Sequence, residues 1–158
     1  MINIRIALIV FCIFAPVSLH AQSVKFIDGD TIFIDGKKHR LANIDAPEIK
    51  QKCEHNFKAW NCGKAAKANL QRIIAKRKIQ CIDDSKDRYG RTLSTCFAIS
   101  SKGNAVNLNE RMVQRGWAIN YRHQKVYLSS EQSAKKEKLG VWRGTFVYPW
   151  QWRASDRG

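Results

Sequence analysis

Acidic residues are scarce in this chain: 13 Asp and Glu stand against 28 Lys and Arg in 158 residues, a formal net charge of +15. The excess is spread along the chain rather than held in a tail. A folded unit this basic favours a polyanionic partner, nucleic acid before anionic membrane or glycan, with solubility alone as the plain alternative. Long apolar runs are also missing. None reaches the 18 or so residues of a spanning helix, which argues against an integral membrane protein. No C-x-x-C pair occurs, and His39, His55 and His123 are scattered, so zinc and histidine–metal spacings are absent. Ser and Cys nucleophile motifs, internal repeats, linkers and low-complexity stretches are absent as well. What remains, 44% hydrophobic with 10% aromatic, suffices for a core and excludes wholesale disorder. At this length one domain is expected.

The first 21 residues differ from the rest. Arg5 provides a positive start, residues 6–19 are almost wholly apolar, and Leu19-His20-Ala21 offers a cleavage site with a small residue at the cut. This is the outline of a secretory signal peptide, too short to span a membrane and interrupted by Pro16. Cleavage after Ala21 removes Arg5 and Cys12. The basic count falls from 28 to 27 against 13 acidic residues, or +14, and five cysteines become four. Four cysteines in an exported chain read as two disulfides with three possible pairings. Cys53 and Cys62 lie close in sequence, and Cys81 and Cys96 fall on two candidate strands joined by a turn, which favours Cys53–Cys62 and Cys81–Cys96. The expected compartment is periplasmic or extracellular, with no membrane association after cleavage.

Residues 24–45 alternate as a strand meander, with Val24, Phe26, Ile32 and Ile34 apolar and Asp28-Gly29 and Asp35-Gly36 as turns. Residues 49–62 read as a polar loop tied by two cysteines. A helix is expected over 63–78, with Ala66, Leu70, Ile73 and Ile74 on one face. Residues 79–82 and 92–99 should pair around a loop at 83–91. Further helices are expected from Asn109, as cap, to Gln114, and from Ser129 or Ser130 to Gly140. Three strands, a helix, two strands and two helices form the order of an OB-fold: an α+β chain with a five-stranded barrel and three helices.

Three carboxylates, Asp30, Asp45 and Glu48, fall where a meander can bring a strand start and a neighbouring strand end to one barrel rim. Clustered carboxylates repel unless a cation joins them, and hard oxygen donors suit Ca²⁺ or Mg²⁺. Ordinary turn residues are the competing reading, and the EF-hand spacing is absent. Arg40 leads into Asp45, and Arg91 ends Asp87-Arg88-Tyr89-Gly90-Arg91. Guanidinium forks match phosphate oxygens. A cation, two arginines and one unligated carboxylate are the parts that phosphodiester hydrolysis requires.

The strings Ile27-Asp28-Gly29-Asp30-Thr31, Arg40-Leu41 to Ile44-Asp45-Ala46-Pro47-Glu48 and Asp87-Arg88-Tyr89-Gly90-Arg91 resemble the three signature blocks of the staphylococcal nuclease family, in order and in spacing. Lys135-Lys136-Glu137-Lys138-Leu139-Gly140-Val141-Trp142 resembles the family's last helix, so the likeness covers about residues 24–143. The resemblance implies an OB-fold enzyme that cleaves DNA and RNA with Ca²⁺. By position, Asp30, Asp45 and the carbonyl of Ala46 would hold the ion. Arg40 and Arg91 would bind the scissile phosphate, and Glu48 would orient or deprotonate water, leaving 3′-phosphate ends. Asp28 would stand behind the ligands, while Arg88, Tyr89 and Tyr121 would line the nucleotide site. Ala46 departs from the threonine of the best-known member, although a carbonyl ligand survives that change. The cysteines and the tail Pro149-Trp150-Gln151-Trp152-Arg153 resemble those of exported bacterial members. The expected protein is a monomeric, sugar-nonspecific endonuclease. The rival is a non-catalytic OB-fold module that holds single strands by charge and stacking.

Overall fold

The computed structural model describes residues 21–87, 89–122 and 124–155, so the expected leader, apart from Ala21, lies outside the described residues, as do Arg88 and His123. The meander forms as patterned: β1 (Val24–Phe26), β2 (Thr31–Ile34) and β3 (Lys37–Leu41) pair antiparallel in order. Asp35 and Gly36 both take positive φ, 49° and 83°, the two-residue turn that matches strand twist. Ile32, Ile34 and Leu41 point into the core. A two-residue strand, β4 (Ile44–Asp45), follows.

Residues 49–62 are more ordered than a polar loop. They contain a hairpin, β5 (Cys53–His55) and β6 (Lys58–Trp60), turned by Asn56 and Phe57 at positive φ. The helix α1 (Cys62–Ile74) then buries Ala66, Leu70, Ile73 and Ile74 as expected. It stops four residues short of Lys78 because Ala75 leaves helical geometry at φ 45°. Arg77 donates to the Ile73 carbonyl (2.6 Å), placing a cation where the helix dipole is negative.

β7 (Lys78–Lys86) and β8 (Thr92–Ile99) form a hairpin with Cys81 directly opposite Cys96, but residues 83–86, expected as loop, extend β7 because they keep pairing with β8 through a bulge between Asp83 and Ser85. β8 also runs parallel to β3, giving the order β1-β2-β3-β8-β7, and its far end accepts β9 (Ala105–Asn107). No backbone ladder joins β1 to β7 among the described residues; the Gln22 amide bridges them instead, donating to the Ile79 carbonyl (2.9 Å) and accepting its N–H (2.8 Å). Both expected disulfides, Cys53–Cys62 and Cys81–Cys96, are present.

The helix α2 (Leu108–Gln114) is capped by Asn107, not Asn109, through the Glu110 N–H (3.2 Å). Asn109 is instead fully buried and binds the Cys96 N–H and the Ala42 and Ser94 carbonyls, stitching α2 to the barrel. β10 (Ile119–Asn120) pairs with β4, and α3 (Leu128–Lys136) follows, ending short of the expected Gly140 because Lys138 leaves helical geometry at φ 52°. The chain closes with a 3₁₀ turn at Gly140–Arg143 and a fourth helix, α4 (Pro149–Ser155), where only a basic aromatic tail was expected. This is an α+β OB-fold in which α1 follows the third barrel strand and α4 is added. Fully buried Leu41, Ile44, Leu70, Leu108 and Met112 join helices to barrel. Each contributes about 1.5–3 kcal/mol by leaving water. A second cluster, Cys53, Cys62 and Val141 with Trp60, Trp142 and Phe146, fastens the β5–β6 hairpin to the tail.

Candidate active site

Two close approaches bring the acidic segments together. A Cβ on Gly29 would lie 2.7 Å from the Ala46 Cβ and 2.8 Å from the Ala66 Cβ, so the bare glycine lets the Asp28-Gly29-Asp30 bend rest against residue 46 and α1. A Cβ on Gly63 would lie 1.7 Å from the Glu48 carbonyl oxygen, so the start of α1 supports the Pro47-Glu48 turn at backbone distance. Gln51, fully buried, completes that turn. Its Oε1 accepts from the Glu48 N–H (3.2 Å), and its Nε2 donates to the Val147 carbonyl (2.6 Å) in the tail.

Asp30 and Asp45 are buried and face one guanidinium. Arg40 donates through Nη1 to Asp30 Oδ1 and through Nη2 to Asp45 Oδ1 (2.7 Å). Asp30 Oδ1 also accepts from Thr31 (3.1 Å), and Oδ2 from the Ala46 N–H (2.8 Å). A second guanidinium enters from α4. Arg153 donates to both oxygens of Asp45 (2.9 and 2.8 Å) and to Glu48 Oε1 (2.6 Å). Thus Asp30, Arg40, Asp45, Glu48 and Arg153 form one continuous charged network.

Burial works against charge on both arginines, but the adjacent carboxylates outweigh it and hold Arg40 and Arg153 firmly protonated. Burial pushes the Asp45 carboxyl up, against the pull of Arg153 and Arg40. Asp28, whose carboxylate accepts from the Asp30 N–H (3.0 Å), is pushed up to about 7 by burial and then by the charge of Asp30.

The network opens onto a cavity of about 790 Å³ walled by Arg40, Glu48, Tyr89, Arg91, Tyr121 and Arg153. Trp150 and Trp152 of α4 form its remaining aromatic side. Arg91 is positioned by Asp87, which takes its Nη2 (2.6 Å) and Nε (2.7 Å) and also caps the turn through the Tyr89 and Arg91 N–H groups. Those hydrogen bonds hold the Asp87 carboxyl low despite the opposing effect of burial. The Arg91 guanidinium stands over the Tyr89 ring at 5.5 Å.

Of the expected site residues, Arg40, Glu48, Tyr89, Arg91 and Tyr121 wall the cleft; Asp30 and Asp45 pair with Arg40 behind that wall, and Asp30 is in turn bonded to the Ala46 N–H and, through its own N–H, to Asp28. Sequence reasoning missed Gln51 and Arg153. The motif Pro149-Trp150-Gln151-Trp152-Arg153 was the available signal for the latter, since tryptophans beside an arginine are the residues that hold bases and phosphates. Trp117 and Trp142 take structural places, Trp117 against Trp60 and Trp142 against Phe146. His39, Cys81 and Cys96 bring ligand atoms within 4.8 Å of one another, but both sulfurs are spent in the disulfide.

Residues 38–144 match the family described as staphylococcal nuclease homologue. The chain is 35% identical over 121 residues to the succinoglycan biosynthesis protein ExoI of Rhizobium meliloti (strain 1021), covering 74% of this chain and 61% of that protein. It is 32% identical over 169 residues to protein ParB of Escherichia coli, covering 97% and 90% of the two chains. It is 30% identical over 151 residues to the micrococcal nuclease of Shigella flexneri, covering 86% and 81%. The matched segment carries Arg40, Asp45, Glu48 and Arg91 on the barrel that brings them together, and the chain belongs to the staphylococcal nuclease family.

Proposed function

We propose that this nuclease is a Ca²⁺-dependent, sugar-nonspecific endonuclease that cuts DNA and RNA to leave 3′-phosphate ends. It acts as a monomer in the periplasm or outside the cell, as a single domain freed of its leader. The observation that carries the reading is the convergence of buried Asp30 and Asp45 with Arg40 and Glu48 at the base of a cleft lined by Arg91. The donor set is oxygen only, two carboxylates and the Ala46 carbonyl, and suits a hard cation. When bound, Ca²⁺ supplies a Lewis acid at the phosphoryl oxygens.

The chain's own residues do the rest. Arg40 and Arg91 hold the nonbridging oxygens and meet the charge that builds up as phosphorus becomes five-coordinate. Glu48 orients a water and accepts its proton as the water oxygen bonds to phosphorus. The bond to the 5′ oxygen breaks, and that oxygen leaves as a hydroxyl with a solvent proton. Asp28 supports Asp30 from behind. Tyr89 and Tyr121, with Arg88 by resemblance, flank the nucleotide. The two disulfides fit an oxidising compartment.

The test is incubation with plasmid DNA and with RNA, in Ca²⁺, in Mg²⁺ and in excess EGTA, followed by end-group analysis. Cleavage of both polymers in Ca²⁺, weak in Mg²⁺ and lost in EGTA, with 3′-phosphate termini, is the expected result. Undiminished cleavage in EGTA overturns the cation assignment. Tight binding without cleavage under every condition returns the non-catalytic module.

A further inference from the structure

Most of the Asp45 carboxylate is already taken up by hydrogen bonds. It accepts three from guanidiniums, one from Arg40 and two from Arg153. A carboxylate offers about four lone-pair sites, so little of this group is left for an ion. The Arg153 fork also spans from Asp45 to Glu48 Oε1, putting its positive charge between a proposed ligand and the proposed base. Arg40 differs in kind. It is buried within the barrel and bridges Asp30 to Asp45. Arg153 arrives from α4, a separate element beyond a tail pinned by the paired Glu54 and Thr145 backbones and by Gln51 on Val147.

We infer that Arg153 is a resident counter-ion of the site, which a divalent cation must displace from Asp45 and Glu48 in order to bind. The inference rests on the reading of Asp45 as a cation ligand. Displacement is local, because Trp150 and Trp152 keep α4 against the same cavity. The released guanidinium stays beside Arg40 and Arg91, where a phosphodiester enters. Without the ion, Asp45 and Glu48 stay paired with Arg153.

Calorimetric titration of the purified, metal-stripped protein with CaCl₂ tests this, comparing wild type with Arg153→Gln, Arg153→Lys and Arg122→Gln. Arg153→Gln removes the competitor and should bind Ca²⁺ roughly tenfold or more tightly, the scale of a charge-assisted hydrogen-bond pair. Arg153→Lys keeps the charge without the fork and should fall between. Arg122→Gln, which removes a charge from the cavity wall, should stay within roughly threefold of wild type, since a solvent-facing charge is screened. Unchanged or weaker binding by Arg153→Gln overturns the inference and leaves the cation site standing. An equal gain in Arg122→Gln overturns it too, since the effect is then general charge. Binding by none of the proteins removes the cation reading and the inference together. Should Arg153→Gln fail to fold, the wild-type arginine side-chain NMR signals decide. The Arg153 Nη resonances should be resolved in EGTA and averaged at Ca²⁺ saturation; signals that stay resolved overturn the displacement.

Discussion

Gln51→Met separates the polar contribution of Gln51 from its packing, because the side chains have similar length and volume. Gln51 is fully buried and has one partner on each side: the Glu48 N–H at 3.2 Å and the Val147 carbonyl at 2.6 Å. The two losses are unequal. Val147 is 50% exposed, so its carbonyl can turn to water at little cost. The Glu48 N–H faces the buried side chain, and an unmet buried donor costs about 1–3 kcal/mol. The variant should therefore lose about 1–3 kcal/mol in urea unfolding. For a chain this long that is a fall of roughly 2–12 °C in Tm. The functional effect follows from what is released: the Glu48 turn loses its fixed backbone angle, and the tail loses a tether to it. Turnover should drop while KM changes less, since Arg40 and Arg91 do not depend on Gln51. Stability within 0.5 kcal/mol of wild type, with unchanged kcat, would refute the claim that Gln51 positions Glu48.

Glu48→Gln and Arg91→Ala should fold normally and lose about a hundredfold or more in kcat, measured on plasmid DNA, because each removes a group proposed to act at the reacting phosphate. Arg40→Ala should lose as much activity and also about 3–5 kcal/mol of stability, since it leaves buried Asp30 without its guanidinium partner and Asp45 with Arg153 alone; near-native Tm would contradict this. Burial holds the His39 imidazole below its ordinary pKa of 6.5, against the opposing pull of Asp83 and with Lys37 adding to the effect. The unfolded chain thus binds a proton that the folded one refuses: stability is intact above pH 6.5 and falls as the pH drops from there toward the lower folded value. His39→Gln should flatten the slope of unfolding free energy between pH 7 and 5.5, and equal slopes would refute it. Cys81→Ser with Cys96→Ser opens a link of sequence separation 15, so urea unfolding should show a loss of about 3 kcal/mol with kcat little changed.

The parts of the site that were legible in the sequence share one property. Each sits in a short stretch whose own chemistry dictates its shape. Asp35-Gly36 makes a hairpin wherever it falls between alternating strands, and that hairpin sets Asp30 beside Arg40: Thr31 and Arg40 are register partners. Asp45 follows on the next strand. Asp87 turns back on Tyr89 and Arg91 within five residues. The hairpin register that puts Cys81 opposite Cys96 is likewise local. Errors arose where tertiary contact overrode local preference. Asn109 has the composition of a helix cap but is drawn into the core, because the Cys96 N–H and two strand carbonyls need a partner there. Asn56 and Phe57 form a turn at positive φ without the usual glycine, on a hairpin whose open end is tied through Cys53 to Cys62 at the start of α1. The strands β4 and β10 are two residues each and exist only through each other.

Arg153 is the extreme case. It lies 108 residues from Asp45 in the chain, and no local pattern connects them. Tryptophans after the last expected helix could stack bases, but in that place they read more often as core or capping residues. The decision between the two is made by packing far from the site. The Cys53–Cys62 bond and Val141 build a small second core under Trp142 and Phe146, the Glu54–Thr145 backbone pair fixes the tail's direction, and Gln51 receives Val147. Those contacts deliver the chain to Pro149, where α4 starts with its tryptophans lining the cleft and its arginine on Asp45. The same buried glutamine holds the Glu48 backbone, so the turn that presents the proposed base and the tail that presents its ion-pair partner share one anchor. Geometry at the proposed base and placement of the α4 arginine are thereby coupled. A change at Gln51 should disturb both Glu48 and Arg153, whereas a change at Arg153 leaves the Glu48 backbone held.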